Sequence, residues 1–163
     1  RRQEIIGEAG GILFMDDYGH HPTAVKATLE GIREFYPRRR IILSFMSHTY
    51  TRTAALLDEF AASVGSADRV VLHKIYGSAR EAYQGGVSGR TLFEKTAALR
   101  DGVLYVEEPL EAAEPLKGIL KPGDLFLTMG AGDNWKLGAA LYDYYRKNAD
   151  SPAGDIGNTG GVP

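Results

Sequence analysis

Cysteine is absent from the 163-residue sequence. A disulfide framework and a thiolate metal site are therefore excluded. The composition fits a reducing compartment, so we expect a cytoplasmic protein. No apolar run approaches the roughly 20 residues that a membrane-spanning helix needs, and we expect no membrane partner. The chain begins with neither a Met nor the apolar core of a signal peptide, so we expect a piece of a longer protein.

An excess of positive charge is also missing. The net charge is −2, with 19 Lys and Arg against 21 Asp and Glu, and the two signs are interspersed. Nucleic-acid-binding proteins usually have a surface cluster of Lys and Arg. This sequence has no such excess, so we expect no nucleic-acid partner. One basic run, Arg38–Arg40, precedes an apolar segment, and we interpret it as the solvated start of a strand. The 44% hydrophobic and 25% charged residues are typical of a globular domain.

Three motifs of nucleotide and hydrolytic chemistry do not occur. The sequence has no Gly-x-x-x-x-Gly-Lys-Ser/Thr phosphate loop, no Gly-x-Ser-x-Gly elbow and no His-Glu-x-x-His zinc motif. If the protein uses ATP, the loop that holds the phosphates therefore lies outside this chain.

The chain alternates segments typical of strands and of helices. Apolar runs predict strands at residues 5–6, 12–15, 41–46, 70–72, 103–106 and 125–129, and helical spacing predicts helices at 22–36, 51–64, 91–99, 110–120 and 134–145. This order predicts an α/β fold, Rossmann-like, with a mainly parallel sheet of about six strands and helices on both faces. One strand is antiparallel, in an N-terminal hairpin. Residues 1–148 form the predicted domain, and 149–163 a disordered tail.

Four turns that follow predicted strands are polar or rich in glycine: Asp16–His21, Ser47–Arg52, Tyr76–Glu81 and Gly130–Asn134. Ligands of parallel sheets bind beyond the carboxyl ends of the strands. We therefore expect the four turns to converge on one rim and to form half of a pocket.

The first turn combines two carboxylates, a phenol and two imidazoles, from Asp16 to His21. A carboxylate here can accept ribose hydroxyls or hold a metal, and an imidazole can hold a metal or donate to an anion. The alternative is structural: Asp16 or Asp17 closes a turn, and His21 simply precedes the proline that opens a helix.

The other turns leave their alternatives open. Arg52 stands in the first turn of a predicted helix, where a bound anion would offset its unfavourable position in the helix dipole. Ser78–Glu81 also fits an ordinary helix start. Gly130–Gly132 resembles the beginning of a dinucleotide fingerprint, but Trp135 replaces the third glycine. Asp133 can cap the helix that follows.

The run from Asp16 to Thr23 resembles a signature of the bacterial Mur ligase family, in the branch that adds L-alanine to UDP-N-acetylmuramate. Residues 51–53, 75–87 and 123–133 match in order, and the resemblance covers about residues 1 to 147. The related branch that recycles murein tripeptide tends to carry Phe-Ala where this chain has Tyr18 and Gly19.

The resemblance implies the last of three domains of an ATP-dependent amino-acid ligase. The expected partners are L-alanine, UDP-N-acetylmuramate and ATP, together with the enzyme's own N-terminal and central domains, which supply the UDP-sugar site, the phosphate loop and the Mg²⁺ sites. ATP phosphorylates the muramate carboxylate, and the amine of alanine attacks the acyl phosphate. We expect the isolated domain to be inactive. The alternatives are the tripeptide ligase, a stand-alone nucleotide-binding module and a non-enzymatic regulatory domain.

The resemblance also implies roles for individual residues. It assigns ATP to Asp17, Tyr18, His20 and His21, and no metal ligand to this domain. It assigns catalysis to His48 and Arg52, which face the alanine carboxylate and the acyl phosphate. The implied amino-acid pocket comprises Tyr18, His20, His48, Arg52, Gly130, Ala131, Gly132 and Asp133. Thr49 departs from the family, which usually has arginine at that position and so a second cation.

Overall fold

The computed structural model describes residues 2–83 and 85–149. A six-stranded sheet runs in the order β1-β2-β6-β3-β4-β5. The strands are β1 (Glu4–Ala9), β2 (Ile12–Asp17), β3 (Ile41–Met46), β4 (Arg69–Leu72), β5 (Val103–Tyr105) and β6 (Leu125–Gly130). Strands β1 and β2 form an antiparallel hairpin, and every other pairing is parallel. The predicted fold class is confirmed.

The described part of the chain also forms six α-helices, the last of which follows β6: α1 (Pro22–Phe35), α2 (Tyr50–Ala55), α3 (Leu57–Ser63), α4 (Gly89–Leu99), α5 (Ala113–Ile119) and α6 (Trp135–Ala149). Within the ranges that the structure describes, none of them combines the length and the apolar character needed to cross a bilayer. The predicted tail falls outside the described residues, except that its first residue, Ala149, ends α6.

Three helix predictions differ from the structure. The single helix predicted at 51–64 breaks at Leu56, whose φ of −122° leaves the helical region, and Leu56 and Leu57 both pack against the core. The segment predicted as a helix from residue 110 begins as a 3₁₀ turn (Pro109–Ala112), because Pro115 lacks an N–H and is tolerated only in the first turn of α5. The run Ser78–Glu81 forms a turn and starts no helix.

The sheet is buried on both faces. All six residues of β3 and of β6 are buried, so their side chains alternate between two cores. One core packs Leu43 and Leu127 against α1, α3 and α4, and the other packs Ile42 and Phe126 against α5 and α6. Burial on both faces explains why these strands are continuous apolar runs in the sequence.

The amino ends of the strands are joined by arginines. Arg40 donates from Nε and Nη2 to the two carboxylate oxygens of Asp124, at 3.0 and 2.8 Å, and Asp124 is 1% exposed. Arg39 pairs with Glu8 at 2.9 Å. Arg38 is exposed as interpreted, whereas Arg39 and Arg40 are partly exposed and also ion-paired, which the interpretation did not include. Periodicity could not show it, because the partners are distant in sequence.

Candidate functional site

The structure brings the four polar turns together at the carboxyl ends of the strands. Strands β2, β6 and β3 are adjacent and parallel, so Asp17 is in register with Met129, and Met46 with Gly130. The turn after β4 joins them, because Tyr76 N donates to Ser47 O at 2.8 Å. We call this edge of the sheet the rim.

Four rings lie in a row across the rim. The centroid of His20 is 5.2 Å from that of Tyr18 and 6.3 Å from that of His48. His48 in turn lies 5.6 Å from Tyr76. Tyr18 and Tyr76, at the two ends of the row, are both more than a third exposed. We call these four rings the aromatic row, and both of its ends are accessible to a ligand at the rim.

Asp16 and Asp17 are both buried and both hydrogen-bonded. Asp17 accepts from Gln3 N at 2.8 Å and from Gly19 N at 2.6 Å, which closes the turn after β2. Asp16 accepts from Thr128 Oγ1 at 2.7 Å. The structural alternative thus holds for Asp17. A carboxylate oxygen can accept more than one hydrogen bond, so Asp17 can also accept from a ligand.

An open groove of about 390 Å³ lies beside this turn. It is lined by Asp17, Tyr18, His20 and His21, with Arg2, Gln3, Gly19, Ala24 and Thr28. All four residues that the resemblance assigns to ATP therefore border one groove.

The histidines of the rim differ in what they can donate. His20 Nδ1 lies 3.0 Å from Tyr18 O, which accepts only, so Nδ1 carries the proton and Nε2 accepts in the neutral ring. His21 Nδ1 accepts from Thr23 N at 3.3 Å and caps α1. Burial, Arg52 and His20 lower the pKa of His48, against an opposing effect of Glu81. His48 is therefore neutral near pH 7 and does not add a charge to that of Arg52.

Arg52 is held beside His48 by a hydrogen bond from Nη1 to His48 O at 2.8 Å. The sequence left open whether an anionic ligand binds at the start of this helix, and in the structure the carboxylate of Glu81 lies there. Glu81 accepts from Tyr50 N and Thr51 N, each at 2.8 Å. The hydrogen bonds from Thr51 are the main cause of the lowered pKa of Glu81, so this carboxylate stays ionised.

The turn after β6 approaches its neighbours closely. Gly130 has a φ of 119°, and a Cβ atom there would lie 2.1 Å from Met46 O. Gly132 has a φ of 85°, and a Cβ atom there would lie 2.6 Å from the ring of Tyr76. Ala131 is buried between them. Asp133 is exposed and pairs with Lys136 at 2.9 Å, and Asn134 stands between it and the start of α6.

A network of hydrogen bonds between buried polar side chains lies beneath the rim. We did not predict this network from the sequence. Ser44 Oγ lies 2.8 Å from His73 Nε2 and 2.8 Å from Asn134 Oδ1, and because a neutral His73 uses its proton on Val106 O, the single Ser44 proton serves one of these two acceptors at a time. Asn134 Nδ2 donates to Ser44 O and Met129 O. Burial lowers the pKa of His73 to about 4. In the sequence, the sign of this network was Ser44, a single polar residue inside the otherwise apolar strand β3.

Among the described residues, no group of three or more His, Asp or Glu side chains is placed to hold a metal ion. The rim combines the groove beside the turn after β2, the aromatic row, the guanidinium of Arg52 and the turn after β6. Exposed rings can stack on a planar group, and a guanidinium can donate to an anion.

Comparison with known proteins gives one family. Residues 1–132 match the family model described as Mur ligase, glutamate ligase domain. The UDP-N-acetylmuramate–L-alanine ligase of Treponema pallidum is 58% identical over 147 residues, which are 90% of this chain and 31% of that protein. The chain thus spans less than a third of the length of this relative.

Two solved structures have the same fold. The UDP-N-acetylmuramate–alanine ligase of Thermotoga maritima matches with a TM-score of 0.74 and 23% identity, over 91% of this chain and 30% of that one. A murein peptide ligase of Psychrobacter arcticus matches with a TM-score of 0.70 and 22% identity, over 86% of this chain and 29% of that one. At this level of identity the likeness concerns the fold alone.

Proposed function

Because this chain belongs to the Mur ligase family, we propose that it forms the domain of a UDP-N-acetylmuramate–L-alanine ligase that closes over ATP and alanine. Three features meet at the rim, and together they support the proposal. They are the groove beside the turn after β2, the aromatic row and Arg52. A phosphate loop is missing from the sequence, so the rim is half of a site.

ATP would bind along the groove beside the turn after β2. Asp17 would accept from the ribose hydroxyls, and Tyr18, His20 and His21 would border the nucleotide. Following the resemblance to the family, the Mg²⁺ sites and the phosphate loop would belong to the rest of the enzyme. Such an enzyme would act in the bacterial cytoplasm, which the absence of cysteine favours.

Alanine would bind between Arg52 and the turn after β6. The guanidinium has five N–H donors, and one of its nitrogens is already anchored to His48 O, so it can bind a carboxylate in a fixed orientation. Gly130, Ala131 and Gly132 would form the backbone wall of the pocket, with Tyr18 and His20 on the opposite side and Asp133 at its edge. Neutral His48 would lie beside the reacting carbonyl.

The proposed reaction needs no nucleophile from this domain. ATP transfers its γ-phosphoryl group to the muramate carboxylate, the alanine amine attacks the acyl carbon, and phosphate leaves as the amide forms. In the first step negative charge moves from the muramate carboxylate through the phosphoryl group to the leaving ADP, and in the second step it develops on the acyl oxygen of the tetrahedral intermediate. The domain would contribute orientation through the rim and charge stabilisation through Arg52.

The test is an assay of the full-length protein with ATP, Mg²⁺ and UDP-N-acetylmuramate. ADP and a UDP-N-acetylmuramoyl-alanine product should appear with L-alanine and disappear when the UDP-sugar is omitted. Product with murein tripeptide in place of alanine would identify the recycling ligase instead. The 163-residue chain alone should form no product, and turnover by it would refute the division of the site between domains.

A further inference from the structure

The turn after β4 is attached to the turn after β3 at two points. The first is the backbone contact of Tyr76 N with Ser47 O, at 2.8 Å. The second is the carboxylate of Glu81, which accepts from the backbone N–H groups of Tyr50 and Thr51 and from the Thr51 hydroxyl. These two attachments hold the segment that contains His48 and Arg52, the two residues with a proposed catalytic role.

Helix α2 depends on this second attachment. It has only six residues, too few to be stable through its own hydrogen bonds. The local cap is a long contact, from Arg52 N to Thr49 Oγ1 at 3.3 Å, and the first turn contains no acidic residue. Glu81 reaches two further amides of that turn at 2.8 Å. The stronger cap therefore comes from 30 residues along the chain.

The packing around this contact is close. A Cβ atom on Gly77 would lie 3.1 Å from the ring of Tyr50 and 3.3 Å from Glu81 O. Glu81 N donates to Ser78 O at 3.0 Å, which turns the chain back toward α2. The segment from Gly77 to Glu81 is thus folded against the start of the helix.

We propose that Glu81 is a positioning residue, which holds the first turn of α2 and so sets where His48 and Arg52 lie on the rim. The proposal rests on the proposed function for its kinetic consequence. Because Glu81 already occupies the amides of Tyr50 and Thr51, these two N–H groups are not free to bind the alanine carboxylate, and the Arg52 side chain is the donor of α2 that remains for it.

The first experiment measures hydrogen–deuterium exchange of residues 50–55 in the full-length protein. Glu81→Ala should accelerate exchange in this segment at least about tenfold, since its amides lose their acceptor. Glu81→Gln keeps one acceptor oxygen and should give an intermediate rate. Glu30→Gln makes the same chemical change in a surface ion pair with Lys26 and should change nothing. Unaltered exchange in Glu81→Ala would overturn the proposal.

The second experiment separates positioning from a merely structural contact. Glu81→Ala should raise the KM for alanine at least about tenfold and leave the KM for ATP within roughly twofold. A fall in kcat that only matches a fall in the folded fraction measured by circular dichroism, with an unchanged KM for alanine, would refute the positioning role.

A double-mutant cycle completes the test. If Glu81 acts through Arg52, adding Glu81→Ala to Arg52→Ala should cost less than about twofold in kcat/KM for alanine. Multiplicative losses would contradict this. A wild-type enzyme that does not use alanine would refute the proposed function, and the exchange of residues 50–55 would then decide alone whether Glu81 holds α2.

Discussion

The ring of Tyr76 occupies the space into which a side chain at Gly132 would project, with Tyr76 Cδ2 only 2.6 Å from an ideal Cβ position. This contact joins the turn after β6 to the aromatic row, since Tyr76 also lies 5.6 Å from His48. The glycine is therefore needed for the assembly of the rim as well as for its own φ of 85°.

Gly132→Ala should destabilise the chain through both effects. Gly123→Ala is the matched control, because Gly123 has a φ of 95° but no atom within 4 Å of an added Cβ. The control should cost about 1–2 kcal/mol from backbone strain alone, and Gly132→Ala should cost more. Urea unfolding measures both. In a Tyr76→Ala background the two substitutions should cost the same, and a persistent difference would show that the ring is not the obstacle.

Ser44, inside β3, and Ser47, directly after it, give a second matched pair, since both are buried. Ser44 bonds to His73 and Asn134, whereas in the described part of the chain Ser47 Oγ is buried without a partner. Ser44→Ala should cost about 1–3 kcal/mol, because it leaves buried groups unpaired. Ser47→Ala should be neutral or stabilising. Unfolding midpoints at an unchanged m-value measure this, and equal losses would refute the assignment of the network.

Local patterns in the sequence were enough to predict the sheet and the rim. Continuous apolar runs predict strands buried on both faces, and the turns that follow such strands must share an edge. The contacts of Glu81 with α2 and of Arg40 with Asp124 could not be predicted, because they depend on the paths of distant segments. The break at Leu56 has the same origin, since packing against the core competes there with helical periodicity.

His73 should make the stability of the chain depend on pH. Burial lowers its pKa from 6.5 to about 4, although a hydrogen bond to Val106 O and the charge of Glu108 oppose this. On acidification the unfolded chain takes up the proton first, so stability is full above pH 6.5 and falls as the pH approaches 4. The loss between pH 7 and pH 5 should be about 2 kcal/mol.

Urea unfolding at pH 7 and pH 5 checks the effect of His73. His73→Gln removes the titrating ring and should lose less stability between the two pH values than the wild type. Ser44→Ala leaves the imidazole in place and should retain most of the wild-type dependence. A His73→Gln variant with the full wild-type loss would assign the pH dependence to other groups.

In the proposed function, Arg52 is the residue on which recognition of the amino acid depends most directly. The family usually has arginine where this chain has Thr49, and the lowered pKa of His48 leaves that ring uncharged near neutral pH. In the proposed function the Arg52 guanidinium then binds the alanine carboxylate with no help from a charge at positions 48 and 49. In the full-length enzyme Arg52→Ala should lower kcat/KM for alanine at least about tenfold, or ~1.4 kcal/mol.

Arg52→Lys separates charge from geometry at the same position. Lysine keeps the positive charge but loses the planar fork and the bond that orients it toward His48 O, so it should recover only part of the activity. Arg146→Ala removes an arginine from an exposed pair with Asp143 in α6 and should leave kcat/KM unchanged. An Arg52→Ala enzyme with wild-type kcat/KM for alanine would place the carboxylate elsewhere on the rim. Full recovery by lysine would mean that charge alone is recognised.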